Sequence, residues 1–197
     1  MHKNYSHKLN TNSIFYLSVL LLVFTTLSCR QKVDLSESEK KPLMLSTEVE
    51  ELAAEIAIDN YIGTETVGRM PDMDPAYARR LKLMRIATVD ELLTLTGNPN
   101  AVVSLVAFEG LYNRDNPTVP SIFEGFIKRG ESIRYLKGDV MMEIPLLEYA
   151  YVYVMNYKIP DENPPSEVEF ADPKFPLSEE KQEMIVQRID GLRSGDK

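Results

Sequence analysis

Few residues of this chain are suited to nucleophilic or metal-based catalysis. The single cysteine is Cys29, and the two histidines, His2 and His7, both precede it. If the chain is cleaved before Cys29 and a lipid is attached to the thiol, the mature protein keeps neither an imidazole nor a free thiol. Ser-His-Asp catalysis, Cys-His catalysis and zinc sites built on His or Cys are then excluded. Carboxylate pairs, Lys, Tyr, Ser and a hard metal held by oxygens remain for chemistry.

Residues 1–28 have the pattern of a bacterial lipoprotein signal peptide. Two lysines are followed by the apolar run IFYLSVLLLVF, which has the length of a signal core and is too short for a full membrane span. The small Ser28 precedes Cys29, although Thr26 stands where an aliphatic residue is usual. We therefore expect export and a lipid anchor on Cys29, with the outer membrane favoured over the inner one. The alternative is an ordinary secretory leader, or a single anchoring helix, with Cys29 as a free thiol.

The charge balance argues against a nucleic-acid partner. The chain has 22 basic and 30 acidic residues, a formal net charge of −8. Loss of residues 1–28 would leave 20 basic residues against 30 acidic ones, a net charge of −10. Such an acidic surface repels nucleic acids and anionic membranes. We therefore expect no nucleic-acid binding, and membrane contact only through the lipid.

The composition divides the chain into three segments. Residues 1–28 are the signal peptide, and the polar residues 29–45 are expected to form a flexible tether. Residues 46–197 are long enough for one domain with one core, and a proline-rich loop interrupts them at 160–176.

Helix start signals recur at short intervals in residues 46–197. Cap residues followed by Pro or by Glu three positions on are typical of helix N-termini, and glycines can end the helices. The short connections predict antiparallel neighbouring helices. We therefore predict an all-α fold of about six helices, either a bundle or a short stack. The start signals are Thr47, Asp74, Thr88, Asn98, Asn116 and Ser178.

The segment 144–157 fits two secondary structures. Tyrosines at alternate positions 149, 151 and 153 are typical of a strand. Pro145 suits the first turn of a helix, however, and apolar residues follow it at helical spacing. We favour the helix.

Two groups of residues are candidates for a binding surface. Aromatic rings with a polar tip are enriched in binding surfaces and sugar-facing grooves, although packing in the core and at its rim is the alternative. A basic pair on the predicted second helix could dock an anionic partner, or it could pair with the acidic helices of the same chain. The candidates are Tyr149, Tyr151, Tyr153, Tyr157, Arg79 and Arg80.

The acidic pairs are expected to be structural. Asp90-Glu91 and Glu179-Glu180 fall in first helical turns, where carboxylates are stabilised by free N–H groups and the helix dipole. Asp161-Glu162 could contribute oxygens to calcium, but the EF-hand spacing is absent and a solvated turn is the default. We predict neither a metal nor a cofactor.

The stretch 87–111, ATVDELLTLTGNPNAVVSLVAFEGL, resembles a HEAT-like helical pair of bacterial exported proteins. The pattern runs A-T-x-E-E-L-x-x-L-T-x-x-P-N-x-x-V-x-x-x-A-F-x-x-L, and with similar flanks the resemblance covers most of residues 50–192. Relatives often carry His before the Pro-Asn and a basic residue after the Val, where this chain has Asn98 and Ser104. A site that needs either residue would be missing. The resemblance implies a helical, repeat-like fold and an envelope location, and it implies no reaction.

Two functions are consistent with these observations. The first is a non-enzymatic, lipid-anchored scaffold that binds an envelope protein. The second is an envelope protein that binds or hydrolyses glycans with a tyrosine-lined groove and the carboxylates of Glu143 and Glu148. Carboxylates about 5 to 10 Å apart in a concave pocket would favour a glycosidase. The lack of a recognisable catalytic constellation favours the scaffold.

Overall fold

The computed structural model describes residues 44–65, 73–160 and 172–195, all of which belong to one compact unit, Pro42–Lys197. The predicted signal peptide, Cys29, most of the tether and the Asp161-Glu162 pair lie outside the described residues. The elements are α1 (Thr47–Asp59), β1 (Tyr61–Ile62), α2 (Pro75–Ile86), α3 (Val89–Leu95), α4 (Ala101–Asn113), α5 (Val119–Lys128), β2 (Ser132–Lys137), β3 (Val140–Pro145), α6 (Leu146–Glu148), a π-helix (Tyr149–Val154) and α7 (Glu179–Ser194).

The prediction of an all-α fold is wrong, because the helices are joined by a mixed three-stranded sheet. Its strand order is β1-β2-β3, with β1 parallel and β3 antiparallel to β2. The hairpin turns at Gly138-Asp139, where Gly138 has a φ of +63°. A positive φ at the first turn position, with none at Asp139, is the pattern of a type II′ turn, whose twist matches that of the strands. The structure is therefore not the predicted short stack of helices but a set of helices packed with a small sheet.

The core is built around α4, which is buried on nearly every side. Every residue from Val102 to Phe108 is buried, as a helix surrounded by other elements requires. Helices α1, α2, α3 and α5, together with the π-helix and β2, pack around it. A Cβ atom on Gly110 would lie 3.1 Å from a methyl group of Leu92 on α3. Gly110 therefore permits the close packing of α4 against α3.

The predicted N-cap residues are correct for some helices and wrong by one or two residues for others. Thr88 forms a complete capping box with Glu91, and Asp74 caps α2 by accepting the N–H of Ala76. The predicted start Thr47 lies one residue after Ser46, the N-cap of α1. The predicted starts Asn98 and Asn116 each lie two residues before the N-caps of α4 and α5, which are Asn100 and Thr118. Ser178 caps α7 as predicted.

The segment 144–157 is mainly helical, so the preferred interpretation is confirmed. It leaves β3, starts α6 at Leu146 and continues as the π-helix. No helix within residues 44–65, 73–160 and 172–195 combines the length and the apolar character that a bilayer-spanning helix needs.

Candidate functional site

The four candidate tyrosines belong to the π-helix and the segment after it, and they stack on one another in pairs. Tyr149 and Tyr153 have ring centroids 4.8 Å apart, and Tyr151 and Tyr157 also lie at 4.8 Å. Tyr149, Tyr151 and Tyr157 are buried and Tyr153 is half-buried. Offset stacking of this kind contributes to packing beyond the burial of area. The structure therefore brings the four together as two stacked pairs and not as an exposed aromatic surface.

Tyr157 holds the segment before α7 in place. Its hydroxyl donates to the carbonyl of Phe175 at 3.0 Å and accepts the N–H of Leu177 at 2.7 Å. Burial raises the pKa of this phenol, and the Leu177 N–H opposes the rise. Tyr157 thus acts as a neutral cross-link between the end of the π-helix and the start of the last helix.

The candidate arginines are paired within the chain. Arg79 contacts Glu55 at 2.9 Å and Asp59 at 2.8 Å, both on α1. Arg80 makes two hydrogen bonds to Glu109 on α4, at 2.7 and 2.5 Å. These contacts agree with intramolecular pairing, and they leave the proposed anion-docking face on α2 largely neutralised.

Arg80 and Tyr149 share one buried environment. Burial alone would lower the pKa of the Arg80 guanidinium, but the Glu109 carboxylate more than offsets this and the pKa is raised. Burial raises the pKa of Tyr149, while the nearby charge of Arg80 acts in the opposite direction. Both groups therefore keep the proton they carry at neutral pH, and neither is suited to act as a base.

The two carboxylates considered for glycan hydrolysis have different environments. Glu148 is buried and accepts two hydrogen bonds from Arg193, at 2.9 and 2.7 Å, which fasten α7 to α6. Glu143 is exposed on β3, opposite Arg134 of β2. Both carboxylate oxygens of Glu148 are therefore engaged by Arg193, and neither is left to contact a substrate. This arrangement does not provide the two working carboxylates of a glycosidase.

The tip of the β2–β3 hairpin carries the most conspicuous exposed apolar surface. Val140, Met141 and Met142 are consecutive, and 56%, 45% and 41% of their surfaces are exposed. Since side chains alternate along a strand, apolar groups protrude on both faces of β3. Sequence reasoning did not identify this surface, although the two-residue Gly138-Asp139 turn between apolar runs was a usable signal.

β3 is also an edge of the sheet. Within the described residues its only partner is β2, so its outer backbone groups have no strand to pair with. Edge strands are usually protected from pairing by prolines, bulges or charged residues, and Val140–Met142 include neither a proline nor a charged residue. A peptide that added a strand here could pair with the backbone, while the flexible methionine side chains adapted to its surface.

No group of three or more His, Cys, Asp or Glu residues is placed to hold a metal within the part of the chain that the structure describes. Comparisons of this chain with protein-family models, with curated proteins and with solved structures give no match. The function must therefore be argued from the molecule itself.

Proposed function

We propose that this protein is a non-enzymatic, lipid-anchored scaffold of the cell envelope that binds a partner protein at the β2–β3 hairpin tip. The lipid on Cys29 holds the chain at the membrane, and β3 receives an extended segment of the partner by strand addition. The observation that carries this proposal is the exposure of Val140, Met141 and Met142 along the unpaired edge of β3.

The hairpin register supports an apolar partner segment. Met142 lies opposite Tyr135, and Ile144 lies opposite Ile133. Met142 is therefore on the same face of the hairpin as these three buried residues, but nearer the tip. A partner strand beside β3 would extend this buried face outward. Covering three apolar side chains and pairing the edge would both favour association.

Glycan hydrolysis has less support. The stacked tyrosine rings offer no open groove, and Glu148 is engaged by Arg193. A binding role needs neither an open aromatic groove nor a free carboxylate pair.

Photocrosslinking tests the docking surface. A photoreactive residue at position 141 should give a discrete adduct with one envelope protein in intact cells. The same residue at position 58 should not, because Ile58 is a similarly apolar residue, 80% exposed, that belongs to α1 and not to the β2–β3 hairpin. Val140→Thr combined with Met142→Lys should abolish the adduct. An adduct that survives this double variant, or that forms equally from position 58, would contradict the proposal.

The anchor is tested separately. Cys29→Ser should release the protein from the membrane fraction or leave it uncleaved, because the thiol is the only attachment point for lipid. Labelling with radioactive palmitate should mark the natural chain and not the variant. A natural chain that takes up no label would remove the anchor from the proposal and leave the hairpin surface to be judged by crosslinking.

A further inference from the structure

A strand added to the open edge of β3 would meet two rows of side chains that differ in character. Side chains alternate along a strand, so Met142 and Ile144 lie on one face of the sheet, and Met141 and Glu143 lie on the other. Residues of an added strand would fall alternately beside these two rows, within contact distance of them. The pattern of residues along β3 therefore specifies a pattern in the partner.

The apolar row continues the buried face of the hairpin. Ile144 is buried, and so is Tyr135, which lies opposite Met142 on β2. Met142 itself leaves 41% of its surface exposed. An apolar side chain on the added strand would cover Met142 and widen this buried face. Because the flexible thioether adapts to neighbours of different shape, this row requires apolar residues in the partner without fixing which ones.

The other row contains a carboxylate that is free to pair. Glu143 is the only charged residue of β3, is exposed, and forms no ion pair or hydrogen bond with a described residue. Its neighbour on β2, Arg134, donates instead to the carbonyls of Asn60 at 3.1 Å and Asp59 at 2.9 Å, at the end of α1. These two residues directly precede β1, which pairs with the opposite side of β2. The guanidinium is therefore engaged on the side away from the open edge of β3.

We propose that the partner segment that pairs with β3 has the pattern apolar-basic-apolar, with its lysine or arginine beside Glu143 and its apolar residues on the face of Met142. This inference rests on the proposed function, since it specifies the partner of the same hairpin. Opposite charges directly across neighbouring strands stabilise a sheet, and like charges destabilise it. The net charge of −8 adds a longer-range attraction for a basic segment.

A second copy of this chain fits the edge less well. The β3 strand of a second copy would bring Glu143 again as its only charge, and no basic residue to pair with it. Two copies also carry the same net negative charge and repel each other. The occupant is therefore a basic, partly apolar segment of a different protein, and pairing between two copies is an outcome that the experiments must separate from it.

Two peptides test the charge preference directly. Acetylated and amidated Thr-Val-Lys-Val-Thr and Thr-Val-Glu-Val-Thr have the proposed alternation and differ only at the central residue. Titrated into the full chain in detergent micelles, the lysine peptide should shift the backbone amide resonances of β3 and bind about threefold or more tightly than the glutamate peptide. The preference should shrink as salt is added. Equal or tighter binding of the glutamate peptide, or no shift in β3 with either peptide, would overturn the inference.

Three variants assign the preference to one side chain. Glu143→Gln should reduce the preference for the lysine peptide to less than about 1.5-fold, and Glu143→Lys should reverse it. Asp139→Asn is the matched control, because it removes the same charge from an exposed position in the turn, outside β3, and should leave a preference of at least about twofold. All three changes are at exposed positions, so the fold should be retained. Equal loss of the preference in Asp139→Asn and Glu143→Gln would show that total charge, and not Glu143, is the cause.

Crosslinking in cells separates this inference from the proposed function. The adduct formed from position 141 can be digested and its partner segment sequenced by mass spectrometry. A lysine or arginine between two apolar residues at the crosslinked site would support the inference. A segment with an acidic or uncharged residue there would overturn it and leave strand addition standing, whereas the absence of any adduct would remove both. An adduct with this chain itself, lost in the Val140→Thr and Met142→Lys double variant, would identify a second copy as the occupant and overturn the inference.

Discussion

Glu91 joins the starts of two helices, and its titration should be visible in the stability of the protein. One carboxylate oxygen accepts the N–H of Ser46, the N-cap of α1, at 2.8 Å. The other accepts both the N–H and the hydroxyl of Thr88, the N-cap of α3, at 2.8 Å each. Only 6% of the Glu91 surface is exposed. The charged form is therefore held by three donors that come from two separate parts of the chain.

These donors set the size and the sign of the effect. The Ser46 and Thr88 backbone N–H groups lower the pKa of Glu91 from 4.5 to about 2. A depressed pKa in the folded state stabilises the protein above the unfolded value, and this stabilisation is lost as the pH falls from about 5 toward 2. The full shift corresponds to about 3 kcal/mol. Because Ser46 is exposed and solvent screens the contact, we expect about 1–2 kcal/mol.

Glu91→Gln tests this reasoning, since the amide keeps the shape but one oxygen becomes a donor. The free energy of unfolding in urea should fall by about 1–2 kcal/mol at pH 7, and the difference from the natural chain should be less than about half as large at pH 3 and approach zero below about pH 2. Asp90→Asn is the matched control, because it removes the same charge from an exposed position on the same first turn. It should cost less than about 1 kcal/mol at neutral pH. A Glu91→Gln difference that is absent at pH 7, or that persists undiminished at pH 3, would refute the argument.

Two further substitutions probe close packing and buried charge. Gly63→Ala would place a Cβ atom 2.2 Å from the carboxylate of Asp74, and should lower the urea midpoint by the equivalent of about 1–3 kcal/mol. Gly125→Ala is the control, because there is open space around this position in α5, and it should be neutral or stabilising. A similar loss of stability in both variants would point to a general effect of the methyl group. Glu109→Leu leaves the guanidinium of Arg80 without its carboxylate partner and should lower the free energy of unfolding by about 3–5 kcal/mol. The double variant with Arg80→Met should recover most of this loss. A double variant as unstable as the single one would show that the unpaired charge of Arg80 is not the cause.

Helix starts could be predicted where the cap and its partner are near each other in the chain. The Thr88 capping box closes between residues three positions apart, so the sequence alone shows it. The predicted start of α1 is wrong by one residue, because the contact that holds this start is not local. The N–H of Ser46 is satisfied by Glu91, a side chain 45 positions away, and no local pattern announces such a contact.

The sheet was missed because its strands are short and partly non-local. β1 is only two residues long and depends on β2 for its pairing. The alternation in β2, where Ile133 and Tyr135 point inward, was present in the sequence but was overshadowed by the more conspicuous tyrosines of the next segment. Those tyrosines alternate in sequence, yet Tyr149 and Tyr153 stack within the π-helix, and Tyr151 stacks on Tyr157 in the segment that follows it.

The candidate sites divide in the same way. The hairpin tip lies within the five consecutive residues 138–142 and could have been found from its Gly-Asp turn and its Val-Met-Met run. A pocket between α7 and the π-helix forms only when these two segments pack together, so Glu183 and Tyr151 line it although 32 positions separate them. Tyr151 was identified from its residue type, but its buried hydroxyl, which has no hydrogen-bond partner among the described residues, is a property of packing.

The parallel pairing of β1 with β2 places a constraint on how the chain reaches its native state. Tyr61 pairs with Arg134, so the first strand waits for a partner that is synthesised more than 70 residues later. Contacts of this sequence separation are entropically costly to close and slow folding. The α3–α4 hairpin, whose ends meet within a few residues, can form long before that. The parallel part of the sheet is therefore a late product of folding, whereas the β2–β3 hairpin, which closes through the two-residue Gly138-Asp139 turn, can form its exposed edge before β1 is in place.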